Sequence, residues 1–263
     1  MFLMDYHHHT NHSHDSEAIL EDVCKNAIKR GIKEVCFTEH FSLNPLANTY
    51  NYLVFENYLE DIKMNQAQFQ HQLTIKAGIE ICEPHQLIEE YKKTLEPLKL
   101  DFILGSVHNI NNMKLRTFMA NKEKDEVYRS YFSELYEMVS VADIDIIAHL
   151  DLMKRYAISS YGNYDYAVYQ ELLEAILKKA IERNIGIEVN TSGLRGELKD
   201  TLPTFSIISL YKQLGGELLT IGSDSHAAET VGAGLKEGYE MAREAGFKYV
   251  FRYDKRTPQA ISL

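Results

Sequence analysis

Five of the eleven histidines of this 263-residue chain fall within eight residues, in Asp5-Tyr6-His7-His8-His9-Thr10-Asn11-His12-Ser13-His14-Asp15. In an extended segment His7 and His9 leave the same face and His8 the opposite one. Two imidazoles side by side suit a divalent metal. The tract is interrupted, follows the apolar Phe2, Leu3 and Met4, and runs straight into a helix-like segment, none of which fits an affinity-tag remnant. By itself it remains a compositional hint, and a solvated polar turn is the plain alternative.

The rest of the chain repeats the same chemistry at intervals. Glu39-His40, Glu80, His108, His149 with Asp151, Glu188 with Asn190, and Asp224 with His226 each stand at or just past the end of a short β-like run. Asp224 and His226 repeat the spacing of His7 and His9. The C-terminal rim of a parallel barrel is where active sites collect. His71 and His85 alone fall in helical stretches away from these ends, and His8, His12, His14, His71 and His85 are left with surface or supporting roles. His7, His9, Asp15, His40, Glu80, His108, His149, Asp224 and His226 are too many ligands for one tetrahedral ion. They suffice for two or three ions sharing a carboxylate, with zinc, iron or manganese suited to mixed imidazole and carboxylate donors. Cys82, two residues past Glu80, reads as packing.

These residues need a scaffold, and the periodicity supplies one. Short β-branched or aromatic runs alternate with longer amphipathic segments. Strands are expected at 2–7, 34–38, 73–80, 102–107, 144–148, 185–189 and 217–221, with a last, irregular one at 249–253. Helices are expected at 16–30, capped by Ser16 or Asp15 and ended by Gly31, and at 55–72, 84–95, 126–141, 166–183, 205–214 and 231–245. Residues 109–121 read as a loop and a possible lid. Seven βα units without a break favour an α/β chain folded as a distorted (β/α)7 TIM-like barrel, a single domain over 1–263, with a doubly wound open sheet as the competitor.

Composition narrows the partners. A formal net charge of −10 without basic blocks argues against a nucleic-acid surface. No apolar run of membrane length and no secretory signal is readable, so a cytoplasmic location is expected. Cys24, Cys36 and Cys82, an odd number without a CxxC, fit reduced thiols. A small anionic substrate would need local cations, and Arg155 and Arg195, after the fifth and sixth strands on the same rim, carry forks suited to phosphate.

The patterns HxHxxxSxD at 7–15, TEH at 38–40, GIE at 78–80, GSVH at 105–108, AHLD at 148–151 and GSDSH at 222–226 resemble the polymerase and histidinol phosphatase (PHP) superfamily, and more narrowly its monofunctional histidinol-phosphate phosphatase branch. The resemblance spans essentially the whole chain. It implies a trinuclear centre in which His7, His9, Glu80 and Asp224 hold one ion, Asp15, His40 and His226 a second, and Glu80, His108 and His149 a third. It also implies phosphate contacts from Arg155 and Arg195.

The expected chemistry is hydrolysis of a small phosphate monoester, L-histidinol phosphate foremost, by metal-bound hydroxide, with Asp224 or His226 as proton donor to the leaving oxygen. The alternatives are a PHP-type phosphoesterase acting on a nucleotide or another small ester, and a non-catalytic metal-binding PHP module. An amidohydrolase shares the HxH and the late Asp but normally wants a carboxylated lysine or an equivalent bridge; here the GIE segment offers Glu80, and Lys76 lies upstream in the same strand. Oligomeric state is not legible.

Overall fold

The computed structural model describes residues 2–263. Its strands in chain order are β1 (Met4–His8), β2 (Glu34–Phe41), β3 (Thr74–Cys82), β4 (Phe102–Ser106), β5 (Asn109–Ile110), β6 (Met113–Lys114), β7 (Ile146–Ile147), β8 (Gly186–Asn190), β9 (Leu219–Gly222), β10 (Tyr249–Asp254) and β11 (Thr257–Ser262). The helices are α1 (Leu20–Lys29), α2 (Phe55–Phe69), α3 (Ile88–Leu95), α4 (Leu115–Phe118), α5 (Lys124–Val141), α6 (Met153–Tyr161), α7 (Tyr166–Glu182), α8 (Phe205–Gln213) and α9 (Leu235–Glu244).

One seven-stranded parallel sheet runs β1-β2-β3-β4-β7-β8-β9. Strand order never reverses, so there is no switch point and the doubly wound alternative falls away. Beyond β9 the chain bonds back to β1, Asp224 N donating to His7 O at 2.7 Å and His9 N to Ser225 O at 2.9 Å, which nearly closes the barrel. Strands covered on both faces read as continuous apolar runs. The polar exceptions in β1, β2, β3 and β8, His7, Glu39, His40, Glu80 and Glu188, are as deeply buried as their neighbours.

The first helix begins later than its sequence suggests. Ile19 is its N-cap and no side chain caps it. Ser16 Oγ instead donates to His226 O at 2.9 Å, and Asp15 turns toward His40 and His226. Residues 9–19 are non-helical, and His9, Ser13, Asp15 and Ser16 within them are engaged with the strand ends. Helix α6 stands where the periodicity assigned nothing, and β11 pairs antiparallel with β10. Segment 109–121 is not a plain loop: β5, β6 and α4 occupy it. No helix among the described residues is long and apolar enough to cross a membrane.

The β10–β11 hairpin packs at the N-terminal ends of the barrel strands. Arg252 pairs with Glu34, and Arg256 bonds both Asp143 and Asp145. The Asp145 carboxylate also accepts from Ile103 N at 2.8 Å. Burial drives its pKa up to about 6, against the opposing pull of Arg256. That lies above the unfolded value of about 3.9, so the folded state binds more protons between roughly pH 4 and 6, and this residue's contribution to stability shrinks as pH rises through that window. The unfolding free energy of wild type minus that of Asp145→Asn should therefore fall by up to about 3 kcal/mol from pH 4 to 7. Urea titrations across the range check it, and a flat difference would refute it.

Candidate metal centre

The alternation of β1 does what the spacing demands. His7 and His9 project to one side with Nε2 atoms 3.0 Å apart, while His8 packs edge-on against Phe37 on the other. Glu80 Oε2, near the end of β3, lies 3.4 Å from each of those Nε2 atoms, and Asp224 Oδ1 lies 3.6 Å from each. Ligand atoms at the corners of a tetrahedron with bonds of 2.0–2.2 Å stand roughly 3.3–3.6 Å apart. The separations of the two nitrogens from each other and from each oxygen, 3.0 to 3.6 Å, come near that spacing.

A second set forms around the other oxygen of Glu80. Oε1 lies 2.8 Å from His149 Nε2 and 3.4 Å from His108 Nε2, and those two nitrogens are 3.4 Å apart. A third set is looser: Asp15 approaches His40 Nε2 at 3.5 Å and His226 Nε2 at 3.6 Å, and the His9 ring stacks against each of those two rings, whose centroids are 5.8 Å apart. All nine residues singled out for metal thus reach one mouth. Cys82 comes with them, its Sγ 3.3 Å from His108 Nδ1, so it faces the centre instead of simply filling core. Lys76 does not; it pairs with Asp254 at 2.6 Å and with Asp101, which leaves no bridging lysine.

The supporting groups fix these rings. Glu188 Oε1 accepts from His7 Nδ1 at 2.8 Å while its Oε2 accepts from His149 N at 2.9 Å. Asn190 Nδ2 donates to Glu188 and to Asp224 Oδ2. Ser13 Oγ sits 3.2 Å from His9 Nδ1 and donates to Glu39, which also takes Thr10 N. Glu39, Glu188 and Asn190, which stand at strand ends in the sequence but outside the nine expected ligands, are the partners that orient ligands. Gly222 permits this closeness, because a Cβ there would stand 2.3 Å from Glu188 Oε1 and 2.4 Å from His7 Cβ. His149 and Asp224 adopt positive φ of 27° and 48°, a conformation that persists only where surroundings over-determine it.

The residues present fit a cation. Glu80 Oε2 and His40 Nδ1 are buried and 2.9 Å apart, yet neither makes a hydrogen bond, a cost that positive charge held in the cluster would relieve. Burial raises the Glu80 pKa, but His40, His7 and His108 outweigh it and hold the carboxyl well below its usual range. Burial likewise disfavours charge on His7, yet Glu188, Asp224 and Glu80 hold that ring well above its ordinary value. Carboxylates this dense call for positive charge among them.

A cavity of about 360 Å³ opens onto the cluster. Asp15, His40, Cys82, His108, His149, Asp224, His226 and Arg155 line it, and Arg155 donates to Ser192 Oγ and to Asp224 Oδ2 at 3.4 Å. Arg195 is not among the lining residues. Its guanidinium donates to the carbonyls of Ser223 at 2.7 Å and Asp224 at 3.1 Å, so it braces the turn that carries Asp224. Lys114 and Arg116, which sequence reasoning passed over, form part of the wall with Tyr156. Their signal was two cations within three residues of the segment marked as a lid. His14 also lines the wall, whereas His12 bonds Asp61 and His85 bonds Glu134, away from the centre. Asp151 pairs with Lys154 and Tyr164.

The PHP domain model matches residues 5–192. The chain belongs to the PHP domain family. A relative from Clostridium acetobutylicum, named probable histidinol-phosphatase, is 31% identical over 259 residues, covering 97% of this PHP chain and 98% of its own. The histidinol-phosphatase of Lactococcus lactis is 28% identical over 257 residues, covering 93% and 91%. Among solved structures, histidinol phosphate phosphatase from Lactococcus lactis, complexed with zinc, L-histidinol and phosphate, superposes with a TM-score of 0.91 at 26% identity over 98% of each chain. In this PHP domain the nine residues expected as ligands stand together at the strand ends.

Proposed function

We propose that this PHP-domain chain is a metal-dependent histidinol-phosphatase, hydrolysing L-histidinol phosphate to L-histidinol and phosphate, and that residues 1–263 act as one unit. The observation that carries the reading is Glu80, whose two oxygens each face a separate histidine pair, His7 with His9 and His108 with His149. Relatives named histidinol-phosphatase that align over more than nine-tenths of both chains support the substrate.

His7, His9, Glu80 and Asp224 would hold one ion, Asp15, His40 and His226 a second, and Glu80, His108 and His149 a third, with zinc, iron or manganese suited to these donors. Divalent ions there supply Lewis acidity and lower the pKa of coordinated water toward neutrality. Arg155 projects its remaining N–H donors at the cavity, where a phosphoryl group gathers negative charge. Asp224 is kept ionised despite its burial by His7, His9 and Arg155, so it serves as an acceptor and not as a proton donor. That leaves His226, about a third exposed on the cavity wall, to protonate the leaving oxygen. Burial lowers its pKa, but Asp15 and Asp224 outweigh this and raise it. The proton given is that of the imidazolium, which has no free nitrogen for an ion, so His226 would donate only in a state in which it does not ligate.

Phosphate release from a panel holding L-histidinol phosphate, nucleoside monophosphates and p-nitrophenyl phosphate tests this. Activity should be lost on chelation, return with zinc or manganese, and favour L-histidinol phosphate by at least about 10²-fold in kcat/KM. Turnover that survives full chelation would sink the metal mechanism. Equal rates across the panel would remove the substrate and leave the chemistry.

A further inference from the structure

A second groove lies outside the barrel, across β3 from the metal centre. Its volume is about 540 Å³, within the range of small-molecule sites. Alternation along β3 turns Glu80 and Cys82 inward and Ile81 outward, where it lines the groove with Ile103 of β4 and Leu100. Helix α3, of 8 residues, covers this part of the sheet and is flanked by 3-10 turns at Pro84–Gln86 and Glu96–Leu98. Tyr91 and Leu95 face the groove from α3, with Ile88 partly exposed at its edge.

The rim is cationic on an acidic protein. Arg256 and Asp143 neutralise each other through paired bonds of 2.9 and 2.8 Å. Lys92, Lys99 and Lys255 are exposed and form no ion pair among the described residues, against one further carboxylate, Glu96. Three cations facing one anion contrast with a formal net charge of −10 for the chain. Lys99 and Lys255 moreover occupy backbone at φ of 50° and 48°, where glycine or asparagine is usual. The groove shares no lining residue with the catalytic cavity, and no histidine or thiol faces it.

We propose that this groove binds an organic anion with an apolar body, a medium-chain or aromatic carboxylate, its hydrocarbon against Ile81, Leu100 and Ile103 and its charge among the three lysines. An inorganic anion would leave the apolar floor uncovered, and a neutral hydrocarbon would leave the lysines unanswered.

The probe is 8-anilinonaphthalene-1-sulfonate titrated into the metal-replete full chain. One saturable site per chain is expected, displaced by decanoate and not by saturating inorganic phosphate. Combined Lys92→Glu, Lys99→Glu and Lys255→Glu substitutions should weaken binding by about tenfold or more, an effect that shrinks at high salt. Ile88→Trp should fill the groove and abolish binding, while both variants keep a cooperative melt and wild-type phosphatase turnover. Dye binding that is unchanged in both variants, that phosphate displaces, or that requires a second copy of the chain by size-exclusion chromatography would overturn the proposal.

Discussion

Glu80→Ala is expected to leave at most one metal ion per chain and to lower kcat by about 10³-fold or more. No other carboxylate of the cluster serves two histidine pairs. Oε2 is 3.4 Å from His7 and His9, and Oε1 is 2.8 Å from His149 and 3.4 Å from His108. Removing it strips an anion from both sets at once, whereas the loss of Asp15, which is 40% exposed and approached by only His40 and His226 from the cluster's ligands, should disturb one. The fold should survive, since β3 is hydrogen-bonded along most of its length to β2 and β4. Glu80→Gln, which keeps the volume and one carbonyl oxygen, should retain more metal than the alanine variant. Elemental analysis beside far-UV circular dichroism reads the outcome. A folded Glu80→Ala chain with full wild-type metal content would end the bridging role.

The barrel was legible because parallel strands buried on both faces leave a repeating signal, and the metal residues because they interrupt that signal at one end of each strand. His7, Glu80, His149 and Asp224 could be placed on a common rim before any contact was known. Details that depend on tertiary competition were not legible. Ser16 has the chemistry of a helix cap and its Oγ accepts from Ala18 N at 3.2 Å, yet its hydroxyl is tied to the His226 carbonyl and the helix starts only at Leu20. Cys82 shares the face of Glu80 two residues before it, but it read as packing because a lone thiol usually is, and the sequence does not record how closely His108 approaches it. Glu188 stood at a strand end with no part assigned to it, because a carboxylate that orients a histidine and one that binds an ion occupy the same kind of position in sequence. Arg155 and Arg195 looked equivalent for a similar reason: nothing in the chain before them records which neighbouring carbonyls are free to accept.

That difference between the two arginines gives the other large effect. Arg155→Ala should lower kcat/KM for L-histidinol phosphate by about 10²-fold, mostly through KM, with metal content unchanged. Its side chain is 35% exposed at the cavity, and the fork is only partly used by Ser192 and Asp224, so donors remain for an incoming phosphoryl group. Lysine should not restore the loss, because a point charge cannot reproduce two parallel bonds to phosphate oxygens. Arg195→Ala should behave otherwise. Its guanidinium is bound to the Ser223 and Asp224 carbonyls, so its removal loosens the turn that presents Asp224 and should weaken metal binding by about tenfold. Measuring metal content and steady-state kinetics on both variants separates the roles. If Arg155→Ala loses metal in step with activity, or keeps wild-type KM and kcat, the guanidinium is a brace like its neighbour and the phosphate must be held by other cations on the wall, of which Arg116 and Lys114 are the nearest candidates.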